Sequence, residues 1–169
     1  GREYMPDVLY VTQEEVVSRA LARLIKEDNM VSRCFFDEGF RQQVLNNFRG
    51  IVVAWRESQG KGTHFFWRRY PGTDRSLRLF VQGNKLVPHD ERYVHLSVPL
   101  TPEAVGDMLE RREIFPSLFT IFTVLNFYSG IRPLVGYGSV MYLGLLKDAW
   151  VKTLRDASNV EEADRVTAV

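Results

Sequence analysis

From Ile114 to Leu146 the chain runs 33 residues with a single charge, Arg132. A stretch of about 18 or more uncharged, mostly apolar residues either crosses a membrane or fills the centre of a globule. Ile114–Ile131 has that length, and Arg111-Arg112 flanks it as an anchored end would. Three features argue for the globule and against the membrane. Ser117, Thr120, Thr123, Asn126 and Ser129 interrupt the run, the chain before it reads as a soluble sheet, and Pro133–Leu146 is too short and too glycine-rich to return across a bilayer. The pattern therefore predicts a buried helix from Pro116 to Tyr128, closed by Ser129-Gly130, at the centre of the fold.

The remaining sequence can supply the shell around such a helix. With 169 residues, 45% hydrophobic and 25% charged, the composition is that of a folded domain and excludes a disordered tail or a disulfide scaffold. Residues 1–158 are expected to form one α+β domain, with 159–169 a flexible or helical tail. Gly1 to Met5 does not have the pattern of a secretory signal, and the lone Cys34 suits a reducing, cytoplasmic compartment. A formal net charge of +1 neither requires nor forbids an anionic partner.

Thr12-Gln-Glu-Glu15 is a capping box, and Val16, Val17, Ala20, Leu21, Leu24 and Ile25 follow at helical spacing. Asp37–Phe48 predicts a second helix with Phe40, Val44, Leu45 and Phe48 inward. Ile51–Arg56, Thr63–Tyr70, Ser76–Gln82 and Tyr93–Val98 carry β-branched and aromatic residues between short turns, which predicts four antiparallel strands. Thr101-Pro102 starts a helix to about Arg112, and a last helix begins near Ser139. Helices, then strands, then helices predict an α+β fold: a four-stranded antiparallel meander with the N-terminal and C-terminal helices packed mainly on one face.

The candidate site lies in and after the apolar stretch. Thr120, Thr123 and Asn126 recur every three residues, as a polar wall on an apolar helix would. Thr and Ser can instead bond their own backbone, an explanation Asn126 fits less well. Arg132 between two apolar segments is expected near the interior, where it needs an anion or a carboxylate of this chain. Gly136-Tyr137-Gly138-Ser139 precedes a helix, so its amides can cradle oxygens, but the third glycine of a dinucleotide fingerprint is missing. Tyr142 adds a hydroxyl nearby. His95, expected on a strand face with Tyr93 and Ser97, is the one candidate for proton transfer. The three histidines and Cys34 are not at metal-ligand spacings, and no cofactor is implied.

The window Arg56–Arg78 holds six basic residues against Glu57 and Asp74, interleaved with Phe65, Phe66 and Trp67. Such a mixture suits nucleic acid when the aromatics face outward. Strand alternation sends at least one aromatic set to the core, which argues against that reading. The favoured expectation is a domain that binds a small anion (carboxylate, phosphate or nucleotide), alone or as part of an enzyme. Its competitor is a non-catalytic interaction domain in which the 114–146 segment joins the copies of a homo-oligomer.

Overall fold

The computed structural model describes residues 11–132 and 136–169, with the surroundings of Tyr137 and Gly138 outside that description. Helix α1 (Gln13–Leu24) starts at Thr12, whose Oγ1 accepts from the Glu15 amide at 3.2 Å, and it buries Val17 and Leu21. A helix without a counterpart in the periodicity, α2 (Met30–Phe36), follows. Asn29 and Ser32 cap it reciprocally. Asp37 then caps α3 (Glu38–Phe48), which turns Phe40, Val44, Leu45 and Phe48 inward.

The fold is α+β, with an antiparallel sheet, but the sheet differs from the expected meander. Ile51–Ala54 is a turn, and only Trp55–Arg56 (β1) is extended, pairing with Lys61–Gly62 (β2) as a separate hairpin. Phe66–Arg69 (β3), Ser76–Gln82 (β4), Lys85–Pro88 (β5) and Val98–Pro99 (β6) run consecutively. Ile114–Pro116 (β7) returns to the free edge of β3, giving the order β6-β5-β4-β3-β7. Tyr93–Leu96, most of the expected strand Tyr93–Val98, belongs to a 3-10 helix (Glu91–Leu96) instead. Asp90 accepts from the Arg92 amide to start it, and the Tyr93 ring leaves the alternating pattern to pack edge-on against Tyr70.

Directly opposed residues in an antiparallel pair share a face, so the register assigns the two sides of the sheet. Trp67 opposes Phe115 on one side and Arg78 on the other; Arg68 opposes Ile114 and Leu77; Leu86 opposes Val98. Phe66, Leu79, Leu86, Val98 and Ile114 form the buried face, where the Phe35 ring of α2 lies 5.2 Å from Phe66. Helix α4 (Pro102–Glu110) packs beside β6 and β7. Trp67, Phe115, Arg69 and Arg78 occupy the opposite, outer face.

The apolar stretch does run through the core, though not as one helix. After β7 come α5 (Leu118–Phe122) and a π-helical segment, Thr123–Tyr128, and then the chain surfaces at Gly130–Arg132. Phe119 sits at its centre, with ring centroids 4.9 Å from Phe48, 5.0 Å from Trp55 and 5.9 Å from Trp150 of α6 (Tyr137–Asp156). Among the described residues no helix is long and apolar enough to cross a membrane. The segment expected as a tail is largely α7 (Val160–Ala168), docked on α6 through the buried Ala163 and Val166.

Candidate functional site

The residues that the sequence groups around Arg132 have separate occupations. Ser117 Oγ donates to the His64 carbonyl at 3.1 Å, and Thr120 Oγ1 donates to the Phe65 carbonyl at 2.6 Å, so these two hydroxyls fasten α5 to the turn before β3. Thr123 Oγ1 donates to Phe119 O one turn back, at 2.8 Å. Asn126, in the π-helical segment, is buried, and its Oδ1 has no hydrogen-bond partner among the described residues.

Arg132 is exposed rather than interior, and its Nη2 donates to the Ala168 carbonyl at 3.3 Å. The reason is the break in the apolar run: the chain leaves the helix at Gly130, at φ +69°, and Ile131 and Arg132 follow at the surface. Gly136 is the exposed cap of α6, Ser139 Oγ accepts from Tyr142 Oη at 2.7 Å, and the Tyr142 ring packs on Phe122. The surroundings of Tyr137 and Gly138, in the first turn of α6, lie outside the description. His95 stands exposed on the 3-10 helix, not in a strand beside Tyr93 and Ser97.

A different grouping emerges on the outer face of the sheet. A cleft of about 340 Å³ is bounded by the Ile51–Ala54 turn, the β1–β2 hairpin, Trp67 and the start of α5 at Leu118. Its apolar wall comes from Val52, Trp67 and Leu118, and its two cations are Arg56 and Lys61. Among the described residues no carboxylate lines it. Pockets of this volume with an apolar wall and a few polar groups are the usual seats of small ligands.

The turn that builds this cleft is tightly held. Val53 has φ +73°, a conformation that a β-branched residue adopts only under constraint. The Gly50 amide donates to the Trp55 carbonyl at 2.9 Å and the Ala54 amide to the Ile51 carbonyl at 3.1 Å. Gly62, at φ +74°, lies so close that a Cβ there would collide with the Ala54 carbonyl oxygen. Thr63 then redirects the chain, its Oγ1 bonded to the carbonyls of Phe66 and Leu79. Phe65 and Phe66 therefore both turn into the core, and Trp67 is the aromatic that faces out.

Behind the cleft, His64 is buried between Trp55 and Phe80. Its Nδ1 accepts from the Val81 amide at 2.8 Å, so Nε2 carries the proton and donates to Glu57 Oε1 at 3.2 Å. Burial pushes its pKa down to about 4, against the opposing pull of Glu57. Burial alone would raise the Glu57 carboxyl, but hydrogen bonds from its own backbone, His64 and Arg49 outweigh this and hold it below its usual value. Cys34 is buried, and desolvation raises its pKa, so the thiol stays protonated. Among the described residues no three His, Cys, Asp or Glu side chains converge on a metal position.

The charges are partitioned unevenly. Glu57 is engaged by Arg49 at 3.2 Å, Glu113 by Arg68 at 3.2 Å and Asp90 by Arg92 at 2.6 Å. By contrast, Arg56, Lys61, Arg69, Arg75 and Arg78 have no ion-pair partner among the described residues; Arg78 instead donates to the Gly60 carbonyl at the hairpin tip. A second cleft of about 340 Å³, between α1, α4 and β7, sets Arg19, Arg69 and Arg112 against Glu14, Glu15 and Glu110 and is balanced in charge. Trp67's cleft combines an aromatic wall with two cations and, among the described residues, no carboxylate. The alternation of Thr63–Tyr70 sends one aromatic set to the core without saying which, and shows neither the Thr63 break nor Phe115 arriving beside Trp67. No protein-family model matches the chain, and no curated protein or solved structure matches it significantly.

Proposed function

We propose that this chain is a binding domain for a small anion with a flat or apolar part, a carboxylate, phosphate or nucleotide, held in the cleft beneath Trp67. One observation carries the reading: Arg56 and Lys61 share a 340 Å³ cleft with Trp67, and no acid among the described residues lines it. The cations neutralise the anionic end, and the indole and the Val52 and Leu118 side chains cover the rest. The sequence alone locates the same class of ligand at Arg132 and Gly136–Ser139; the aromatic wall and the two cations of the cleft favour it over the exposed Arg132. The test is a thermal-shift screen of nucleotides, sugar phosphates, acyl-coenzyme derivatives and keto acids. A hit that stabilises the wild type, and binds Arg56→Gln/Lys61→Gln about tenfold more weakly, supports the cleft. A hit unaffected by that variant, or no hit at all, defeats it.

A second reading, assembly through the apolar stretch, draws on the start of α6. Val140, Met141 and Leu145 are exposed there, Met141 by 73%. A dimer in sedimentation velocity that Met141→Glu/Leu145→Glu dissociates would favour it. A monomer at every concentration would remove it.

A further inference from the structure

We infer that the outer face of the sheet binds single-stranded nucleic acid, with the strand entering the cleft and running across β3 and β4. This rests on the reading of the cleft as an anion site and extends it, because the features that suit an anion continue beyond the cleft walls. Lys61 and Arg56 stand at the cleft, Arg78 opposes Trp67 on β4, and Arg69 and Arg75 stand at the far end of the β3–β4 hairpin. None of the five has a carboxylate partner among the described residues, and Asp74 is the one acid of the hairpin turn. A ligand the size of the cleft leaves Arg69 and Arg75 unused. A polyanion laid along the strands meets them all.

The aromatic residues decide between polyanions. Trp67 and Phe115 are direct cross-strand partners on this face, and the Arg69 guanidinium lies 5.8 Å from the Phe115 ring, both at the border of the charge-balanced cleft that holds Glu14, Glu15 and Glu110. Two adjacent π faces between cations suit unstacked bases with phosphates on either side. An acidic peptide would use the cations and leave the rings idle, and a duplex hides its base faces. Strand alternation argues against nucleic acid by requiring a core aromatic set. Phe65 and Phe66 fill that role here, and β7 supplies Phe115 as a second outward ring.

The test is fluorescence anisotropy of the full chain with labelled ten-nucleotide oligo-dT and oligo-rU. Binding should weaken with salt, with a log–log slope of about −2 if three phosphates are neutralised. Trp67→Ala should weaken it about tenfold. Lys61→Gln/Arg69→Gln/Arg75→Gln, which removes three exposed charges and no fold-bearing hydrogen bond, should weaken it further and flatten the slope. Lys152→Gln on α6 should change nothing. Decaglutamate or a duplex of equal length binding as tightly as the single strand would overturn the proposal. So would an absence of oligonucleotide binding: if nucleoside monophosphates still bind the cleft, the small-anion reading stands alone, and if they do not, both fall.

Discussion

The Val81 amide donates to His64 Nδ1 at 2.8 Å, and this contact fixes the tautomer of a buried imidazole that joins the main sheet to the β1–β2 hairpin. Protonating the ring requires giving up that acceptor. In the folded protein the ring titrates near 4, against about 6.5 in the unfolded chain. Between those values the unfolded state binds the proton and the native state does not. Stability from this group is therefore complete above pH 6.5 and falls as the pH drops toward 4, by about 3 kcal/mol in all. Glu57, held below its usual value, adds a loss in the same direction at lower pH. Urea unfolding at steps from pH 7.5 to 4 should show the decline. His64→Asn, whose Oδ1 can accept from Val81 without titrating, should flatten it between 6.5 and 4; an unchanged slope would mean that other groups govern acid stability.

Gly62 and Gly72 separate two costs that a positive φ usually mixes. Both lie near φ +75°, but a Cβ on Gly72 would meet no heavy atom within 4 Å, whereas one on Gly62 would strike the Ala54 carbonyl oxygen and approach the Trp55 Cα at 2.9 Å. Gly72→Ala should therefore cost about 1 kcal/mol, the backbone strain alone. Gly62→Ala must also push the Ile51–Ala54 turn away and should cost about 3 kcal/mol or more. Denaturant midpoints measure both. Ligand binding in the cleft should fall with Gly62→Ala and be untouched by Gly72→Ala, because only the first displaces a wall.

What was legible in the sequence was local. Thr12, Asp37 and Thr101 each mark a helix start, because the cap and the first turn lie within four residues of one another. Ser76–Gln82 is a full strand because its own seven residues and flanking turns define it. Three residues of β7 ending in Pro116 carry no such signature; their state is set by β3, which lies 46 to 50 positions earlier. Tyr93–Val98 alternates like a strand, yet Asp90 and the Tyr70 ring draw most of it into a helical turn. The site followed the same division. The hydroxyl stripe was visible, but its acceptors at His64 and Phe65 are more than 50 positions away, and Trp67 faces outward on a non-local bond between Thr63 and Leu79.

Arg68 is the costliest charge in the sheet. It stands on the core face opposite Ile114 and Leu77, with Nη2 donating to Glu113 at 3.2 Å and a buried Nε that has no partner among the described residues. Burial lowers its pKa even though Glu113 opposes the shift. Removing the carboxylate strands a desolvated guanidinium, so Glu113→Ala should destabilise the fold by about 2 kcal/mol, discounted because Glu113 is itself partly in water. Replacing the guanidinium with an apolar chain of similar length should be neutral or stabilising: Arg68→Met is expected within about 1 kcal/mol of wild type or above it. A large loss in Arg68→Met would show that the arginine holds the fold through contacts beyond Glu113.

Asn126 tests whether the π-helical segment stores a polar group for use. Its Oδ1 is buried without a partner among the described residues, which carries a desolvation penalty of about 1–3 kcal/mol. The segment packs against α1, α2 and α7. Val is larger than Asn by about one methyl group and has no polar atom, so Asn126→Val should raise the unfolding free energy by about 1 kcal/mol. Anion binding at the Trp67 cleft should not change, since Asn126 does not line it. Chemical denaturation of the variant gives the sign directly. A loss of stability would show that the amide is satisfied in solution and that the π-helical turn is shaped around that contact.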